Sequence, residues 1–428
     1  MVVPRPTDSL HSMAEFKTSP GMRDILDPES GRWRRFVATF ERVVESAGYR
    51  QVIPPLLEDI GVFQRVGEAT DVVSKEMYDF IDKGERHVAL RPEQTASVCR
   101  AFVQHRPAVP WKAWYSGPNF RYEKPQRGRY RQFDQVGIEA LGATDAFLDV
   151  EVIALGWEFL RSLGLERISL QINSLGEPSD RERFMTALAD HFASESENLS
   201  AESRTTLAKN PLRVLDSKRE QDAPIIAAAP KIDSYYSPSA REHFDRVRDG
   251  LDRIGIPYTV NERLVRGLDY YRHTTFEYVG GTLDSAQNAL GGGGRYDGLV
   301  EDLGGPATAG VGFAIGLDRT LLACDDEGVF AADSVSVRVF VIDTTGGSEA
   351  LDLTTELRRH GYSADRAFEA RSMKSQMKAA DRSGAEIAVI VGPDEVQSGT
   401  VVIRPLRGGY QTTVAREDLL TSLQKVLS

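Results

Sequence analysis

Two cysteines, Cys99 and Cys324, are all that a chain of 428 residues contains. So few, so far apart, make neither a disulfide framework nor a cysteine zinc site, and they fit a reducing cytoplasm. No stretch approaches the roughly 18 apolar residues that span a membrane. The N-terminal run MVVPRPTDSLHSMAEFKTSPG lacks the apolar core of a signal peptide. Also missing are the phosphate loop G-x-x-x-x-G-K-[ST], a G-x-G-x-x-G opening a helix after a strand, the elbow G-x-S-x-G and the zinc helix H-E-x-x-H. Positive charge is outweighed as well: 52 Lys and Arg against 63 Asp and Glu leave a net charge of -11. That balance argues against a DNA-coating role but leaves room for a local basic site.

What is present is an ordinary globular composition, 41% hydrophobic and 27% charged, in a chain too long for one core. Two or three domains are expected. Residues 1–17 read as an N-terminal tail, with Met13 as an alternative start. Trp33, Phe36, Val37, Phe40, Val43, Val44 and Ala47 recur at three- and four-residue steps and predict a helix over 32–47. Asp27 and Pro28 read as its N-cap and first position, and Gly48 as its stop. YRQVIPPLLED follows as a strand whose prolines suit an edge or an interface. Residues 111–142 read as two strands around a polar, glycine-containing loop, and 145–163 as a helix closed by Gly164.

From 175 to 250 the chain turns polar, with apolar residues at helical spacing, and reads as a small helical insertion. Strand-like sequence returns over 257–280, then a glycine cluster, then GVGFAIGLDRTLLAC, a strand running into a helix. Beyond a break at 325–336, strands and helices alternate in a compact α/β domain with a mostly parallel sheet. Residues 335–428 hold twelve Lys and Arg and twelve Asp and Glu, so the rest carries the whole -11. This last domain is therefore the part better suited to a polyanion.

The acidic part nevertheless contains RYEKPQRGRYRQFDQ, residues 121–135, with Arg121, Lys124, Arg127, Arg129 and Arg131. Arginine's planar fork binds phosphate oxygens in pairs, and a phosphoryl centre needs such clamps held in place. The cations of the turn, with Tyr130 and Gln126 among them, suit a nucleic-acid backbone or a single-stranded end. A solvated basic hairpin is the plainer reading of this run alone. LRPEQTASVCRAF places Glu93 two residues before Thr95, and DQVGIE places Gln135 and Glu139 on one side of a strand. Two carboxylates with neutral hydrogen-bonders suit the ammonium group of a free amino acid.

LVRGLDYYRHTTFEY sets Arg266 and Asp269 beside Tyr270 and Tyr271, a polar set able to read an imidazole, or else an amphipathic strand. In ALGGGGRYDGLV the glycines let backbone approach a ligand closely. Arg319, entering a helix, is either a second phosphate clamp or a surface arginine.

Taken together and in order, these segments resemble the histidyl-tRNA synthetases, class II enzymes, from about Thr18 onward. GMRDILDPES with the helix and proline strand after it resembles motif 1, FRYEKPQRGRYRQFDQ motif 2 and GVGFAIGLDR motif 3. LVRGLDYY and GGRYDGL are the most specific of the matches, and NPLRVLDSK at 210–218 resembles the family's helical insertion. The resemblance implies an α+β catalytic domain with an antiparallel sheet over 18–326. It implies a helical insertion at about 175–256 and an anticodon-binding α/β domain over 334–428. The activity implied is ATP-dependent activation of L-histidine and transfer to the 3′ end of tRNA(His), by a cytoplasmic homodimer joined through motif 1. ATP is then a substrate accompanied by Mg2+, with no side chain assigned as a metal ligand, and neither DNA nor a membrane is a partner.

Residue by residue, the resemblance makes Arg121, Arg266 and Arg319 catalytic, with Arg121 and Arg319 on the ATP phosphates. Glu93, Gln94, Thr95, Arg121, Gln135, Glu139, Arg266, Tyr270 and Tyr271 would surround histidine. Arg266 would sit at the histidine carboxylate and α-phosphate, in place of a further metal ion. Lys124, Arg127 and Arg129 would reach the acceptor end of the tRNA. Three departures stand out: Gln94 for a common Gly, Asp134 for a common His, and Asp318 for the usual Glu. The alternative is a histidine-binding regulatory subunit of ATP phosphoribosyltransferase, which shares this fold but usually lacks the last domain.

Overall fold

Phe36, Phe40 and Val44 form the buried stripe of the first helix, α1 (Glu29–Ser46). Pro28, not Asp27, occupies its N-cap position, without a side-chain cap, and Glu29 supplies negative charge to the first turn. The computed structural model describes residues 16–427 apart from 68–69, 71, 209, 216, 265–269, 284–287, 333–336 and 370. Nearly all of the expected tail, residues 1–15, and Arg266 with Asp269 lie outside the described residues. The chain parts into two compact units after Ala332.

The single strand expected over YRQVIPPLLED is two: β1 (Arg50–Gln51) and β2 (Leu57–Asp59). Pro54 and Pro55 lack the N–H groups that would continue a ladder, so the two halves enter different sheets. After α2 (Ile60–Gly67) come β3 (Tyr78–Ile81) and β4 (His87–Leu90), which complete a small antiparallel sheet in the order β2-β4-β3. Then follow α3 (Thr95–His105), the long hairpin β5 (Trp111–Phe120) and β6 (Gln132–Leu141), and α4 (Ala146–Ser162). Asp145 caps α4 by accepting the Phe147 N–H, and Gly164 follows its end in the left-handed region.

After β7 (Ile168–Ser174) the insertion is helical: α5 (Pro178–Ser194), α6 (Ala201–Leu207), α7 (Ala223–Ala227) and α8 (Pro238–Ile254). The chain returns through β8 (Thr259–Val260), β9 (Arg272–Gly280), β10 (Ala289–Arg295), α9 (Leu299–Asp302), β11 (Gly310–Gly316) and α10 (Leu317–Glu327). Over the described residues the large sheet runs β1-β5-β6-β11-β10-β9-β7-β8, antiparallel except at its two edge pairs.

Alternation decides its two faces. Trp114, Val136, Ile138, Phe276, Tyr278, Val311 and Phe313 point to one side and pack with Phe36 and Phe40 of α1 and Phe159 of α4. Phe36 and Phe40 each meet Phe159 edge-on at 5.0 Å, and burying each ring contributes about 1.5–3 kcal/mol. The opposite face of the sheet carries the polar residues of the site.

The second unit holds β12 (Val339–Asp343), α11 (Ser348–Arg359), β13 (Ala364–Arg366), α12 (Met373–Arg382), β14 (Ile387–Val391), α13 (Pro393–Ser398), β15 (Thr400–Pro405), β16 (Thr412–Ala415) and α14 (Leu419–Leu427). Its sheet, β13-β12-β14-β15-β16, is parallel only from β13 to β14; β15 and β16 run antiparallel. The expected mostly parallel sheet is thus half antiparallel; for β15 and β16 the reason is the short link at Gly408 and Gly409, too short for a crossover. Leu353 and Leu357 of α11 and Leu419 and Leu423 of α14 cover one face, and Ala380 of α12 the other.

Candidate active site

The cleft on the open face of the large sheet has a volume of about 360 Å³. Its floor comes from β6, β10 and β11, one wall from the start of α3, and its rim from the basic turn between β5 and β6. Glu93, Gln94, Thr95, Arg121, Gln135, Tyr270, Tyr271 and Arg319, eight of the expected residues, all line it. Glu139 lies just behind the wall, fully buried.

At one end the groups are carboxylates, amides and phenols. Glu139 Oε1 accepts from Thr95 Oγ1 at 2.7 Å and from the Tyr115 hydroxyl at 3.1 Å, and the Tyr296 hydroxyl donates to Oε2. Burial pushes the Glu139 carboxyl up to about 8, with the charge of Glu93 adding to the rise. Two glycines make the room: a Cβ on Gly137 would overlap the Tyr115 ring, and one on Gly312 would overlap the Glu139 carboxylate. Glu93 accepts the backbone N–H groups of Thr95 at 2.7 Å and Ala96 at 2.9 Å, the open end of α3. Burial also raises its pKa.

Gln94 is buried and donates to the Gly117 carbonyl at 3.3 Å, leaving its Oε1 buried without a partner. Gln135 Oε1 accepts from Asn119 at 2.9 Å. The Tyr270 and Tyr271 rings stand 4.6 Å apart, and Tyr296 meets both edge-on.

At the other end the charge is positive. Arg121 is anchored by the Pro92 carbonyl at 2.9 Å and lies 5.2 Å from the centre of the Phe133 ring. Arg319 donates to Ala289 O at 3.2 Å and Gly128 O at 3.4 Å. Burial lowers the pKa of both, and the positive charge of Arg129 lowers each further. Three guanidinium groups thus share one partly buried space, an arrangement that an anion relieves. Glu76, at the end of a π-helical turn (Val72–Glu76), holds this corner by accepting the Tyr122 N–H at 2.7 Å, and its charge reaches Arg121.

The basic turn is divided. Arg129 lines the cleft and pairs with Glu123, whereas Lys124 is exposed and Arg127 is 74% exposed, 3.7 Å from Asp326. Arg295, beside the glycine cluster, faces away from the cleft. It is buried against Asp149 at 2.9 Å and Asp297 at 3.2 Å, so it braces the fold. Of the glycines, Gly291 and Gly292 line the cleft, and Gly291, Gly293 and Gly294 press on neighbouring backbone.

Sequence reasoning passed over Tyr115, Phe133 and Glu277 and named Tyr296 only as part of a motif. Tyr115 carries a signal in hindsight: it lies opposite Gly137 in the ladder, two residues from Glu139. A tyrosine facing a strand glycine beside an acid is a buried hydroxyl in need of a partner.

A model of the family described as histidyl-tRNA synthetase matches residues 21–320, and one described as anticodon binding domain matches 336–426. A histidine–tRNA ligase of Halothermothrix orenii is 43% identical over 419 residues, covering 96% of this chain and 100% of that protein. One from Rhodococcus erythropolis is 45% identical over 414 residues, covering 95% and 97%. Among solved structures, apo histidyl-tRNA synthetase of S. aureus superposes with a TM-score of 0.80 at 34% identity, covering 95% of this chain and 99% of that one.

Proposed function

The chain belongs to the histidyl-tRNA synthetase family, and from that premise we propose how its cleft carries out ATP-dependent ligation of L-histidine to tRNA(His). The observation that carries the reading is a single cleft with a carboxylate, amide and phenol end and a three-arginine end. Histidine occupies the first end. Its ammonium faces Glu93, Gln94 and Gln135, and its imidazole meets Glu139, Tyr270 and Tyr271 near Thr95. ATP lies toward the second end, its phosphates against Arg121 and Arg319. Arg266 is assigned to the histidine carboxylate and α-phosphate on sequence grounds.

The histidine carboxylate oxygen attacks the α-phosphorus, the bond to the bridging oxygen breaks, and pyrophosphate leaves. The terminal ribose hydroxyl of the tRNA then attacks the carbonyl of histidyl-adenylate, and AMP leaves. The cleft's part is placement and charge neutralisation, in keeping with arginines held by backbone carbonyls. Mg2+ would arrive with ATP and neutralise phosphate charge. Such an ion keeps most of its waters and needs only one or two carboxylates, and Glu277, on the cleft wall with its charge reaching Arg319, fits that need.

Residues 18–326 act as the catalytic domain and 334–428 as the anticodon-binding domain, with Lys124 and Arg127 nearest the acceptor end and Arg129, expected there as well, between it and the phosphates. Among the described residues no helix is long and apolar enough to cross a membrane, and we place the protein in the cytoplasm. We assign a homodimer joined through α1 and the segment after it. The exposed apolar side chains of Leu26, Ile53, Leu56 and Leu57 support that surface, and sedimentation showing only monomers at micromolar concentration would refute it.

The regulatory-subunit reading is less supported, since the anticodon-binding model covers the last domain. ATP–pyrophosphate exchange, run with each of the twenty amino acids, decides between them. Exchange with histidine alone is expected; histidine binding without exchange would transfer the protein to the regulatory class.

A further inference from the structure

Arg23 belongs to the segment before α1, far in sequence from every residue assigned to the cleft. Its guanidinium nonetheless meets two separate pieces of the site. It donates to Asp318 Oδ1 at 2.6 Å, in the first turn of α10, and lies 4.5 Å from the centre of the Tyr130 ring in the basic turn. Trp33 of α1 stands behind it at 5.8 Å. Asp318 and Tyr130 both line the cleft, and Asp318 immediately precedes Arg319. The segment itself is docked without help from this side chain, because the Gly21 carbonyl accepts the Arg131 N–H at 2.8 Å.

We propose that Arg23 is a positioning residue for the nucleotide end of the cleft, holding Asp318 and Tyr130 together so that Arg319 and the basic turn stay aimed at the ATP phosphates. The proposal rests on the reading of the cleft given above. The Asp318 side chain is 8% exposed, and a carboxylate so buried needs a cation. A second acid, Asp134 on β6, stands close enough for the two charges to interact, and Arg23 acts favourably on both. These are two of the three positions at which the chain departs from the family pattern; Arg91 acts on Asp134 more strongly, but Arg23 is the cation that acts on both. Two acids beside a polyphosphate site would otherwise repel the ligand. Arg319, whose charge already acts on Asp318, is the next cation in reach. Without Arg23, Asp318 would draw that guanidinium away from the phosphates.

The test measures ATP affinity by equilibrium dialysis, and the ATP and histidine KM in pyrophosphate exchange. The proteins are wild type, Arg23→Ala, Arg23→Lys, Asp318→Asn and the Arg23→Ala/Asp318→Asn double variant. Arg23→Ala is expected to weaken ATP about tenfold, with histidine KM held within about twofold, and Arg23→Lys to recover part of the loss. In the Asp318→Asn background the same substitution should change ATP affinity by no more than about twofold. A folded Arg23→Ala protein with wild-type ATP affinity, or an equal loss in both backgrounds, would overturn the proposal. If Arg23→Ala does not fold, Arg23→Gln, which keeps the stem on Tyr130, answers the same question. A wild type that exchanges with no amino acid would sink the functional reading, while dialysis would still judge the role of Arg23.

Discussion

The hydroxyl of Thr95, the first residue of α3, donates at 2.7 Å to Glu139 Oε1 on β6. That bond ties the helix whose open end Glu93 caps to the strand carrying Gln135, so the two carboxylates keep a fixed spacing. Tyr115 and Tyr296 donate to the same carboxylate from two further strands or their ends. Three pieces of chain therefore converge on a side chain carried by a fourth.

Glu139→Gln keeps the shape of this cluster but cannot ionise when an imidazole binds against it. Histidine KM in pyrophosphate exchange should rise about tenfold to a hundredfold, the equivalent of a hydrogen bond to a charged group at roughly 1.5–3 kcal/mol. ATP KM should change little. An unchanged histidine KM would remove Glu139 from the imidazole-reading set.

The same residue predicts a pH dependence. Burial raises the Glu139 carboxyl from 4.5 to about 8. Between those values the folded state holds a proton that the unfolded chain has released, so this group makes stability fall as pH rises through the window. Glu139→Gln lacks that proton. The difference in melting temperature, variant minus wild type, should therefore grow from the acid to the alkaline side. Parallel melting curves across the window would contradict the raised pKa.

Gln94 fills a position where the family commonly has glycine, and its buried Oε1 has no hydrogen-bond partner. An orphaned buried acceptor is costly unless a ligand donor meets it. Gln94→Ala is expected to raise histidine KM about fivefold to tenfold with kcat little changed, the worth of one hydrogen bond at about 1 kcal/mol or somewhat more. Steady-state exchange kinetics measure both constants. A variant with wild-type histidine KM would mean that the substrate ammonium does not reach this oxygen.

Much of this architecture was legible because periodicity reports burial. The helical stripe of Phe36, Phe40 and Val44 and the alternation along β6 both follow from one face packing on a core. YRQVIPPLLED was not legible as two strands, because apolar content says nothing about which ladder a strand joins. The glycine cluster was half legible: Gly291 and Gly292 line the cleft, but Gly291, Gly293 and Gly294 also answer to backbone on neighbouring strands. Arg23 was read only as part of GMRDILDPES, with no role of its own. Its partner Asp318 is 295 residues away, a pairing that local pattern cannot express.

In the insertion, Asp222 is buried and accepts from Ser200 N at 2.8 Å and from the hydroxyls of Ser200, Ser203 and Ser217 at 2.9, 2.6 and 2.6 Å. Burial opposes its charge, but these bonds outweigh it and hold the carboxyl well below the ordinary range. Its contribution is present above the unfolded carboxylate pKa and is lost as pH falls through that range. Asp222→Asn should destabilise the protein by about 1–3 kcal/mol in urea unfolding, with the deficit shrinking in acid. A deficit that stays constant down to strongly acidic pH would show that the charge is not what matters.

The proposed function gives the basic turn two jobs that mutation can separate. Lys124 and Arg127 face solvent, whereas Arg129 lines the cleft with Arg121 and Arg319. A Lys124→Ala/Arg127→Ala protein should therefore be impaired in transfer to tRNA, with tRNA KM raised, while amino-acid activation proceeds. For every tRNA phosphate these cations cease to neutralise, the slope of log affinity against log salt should fall by roughly 0.7–0.9. Arg129→Ala should slow pyrophosphate exchange as well, because it removes a cation from the nucleotide end. Comparing exchange with aminoacylation across a salt series makes the distinction. If Arg129→Ala impairs aminoacylation alone, its place is with the tRNA, and two arginines rather than three hold the phosphates.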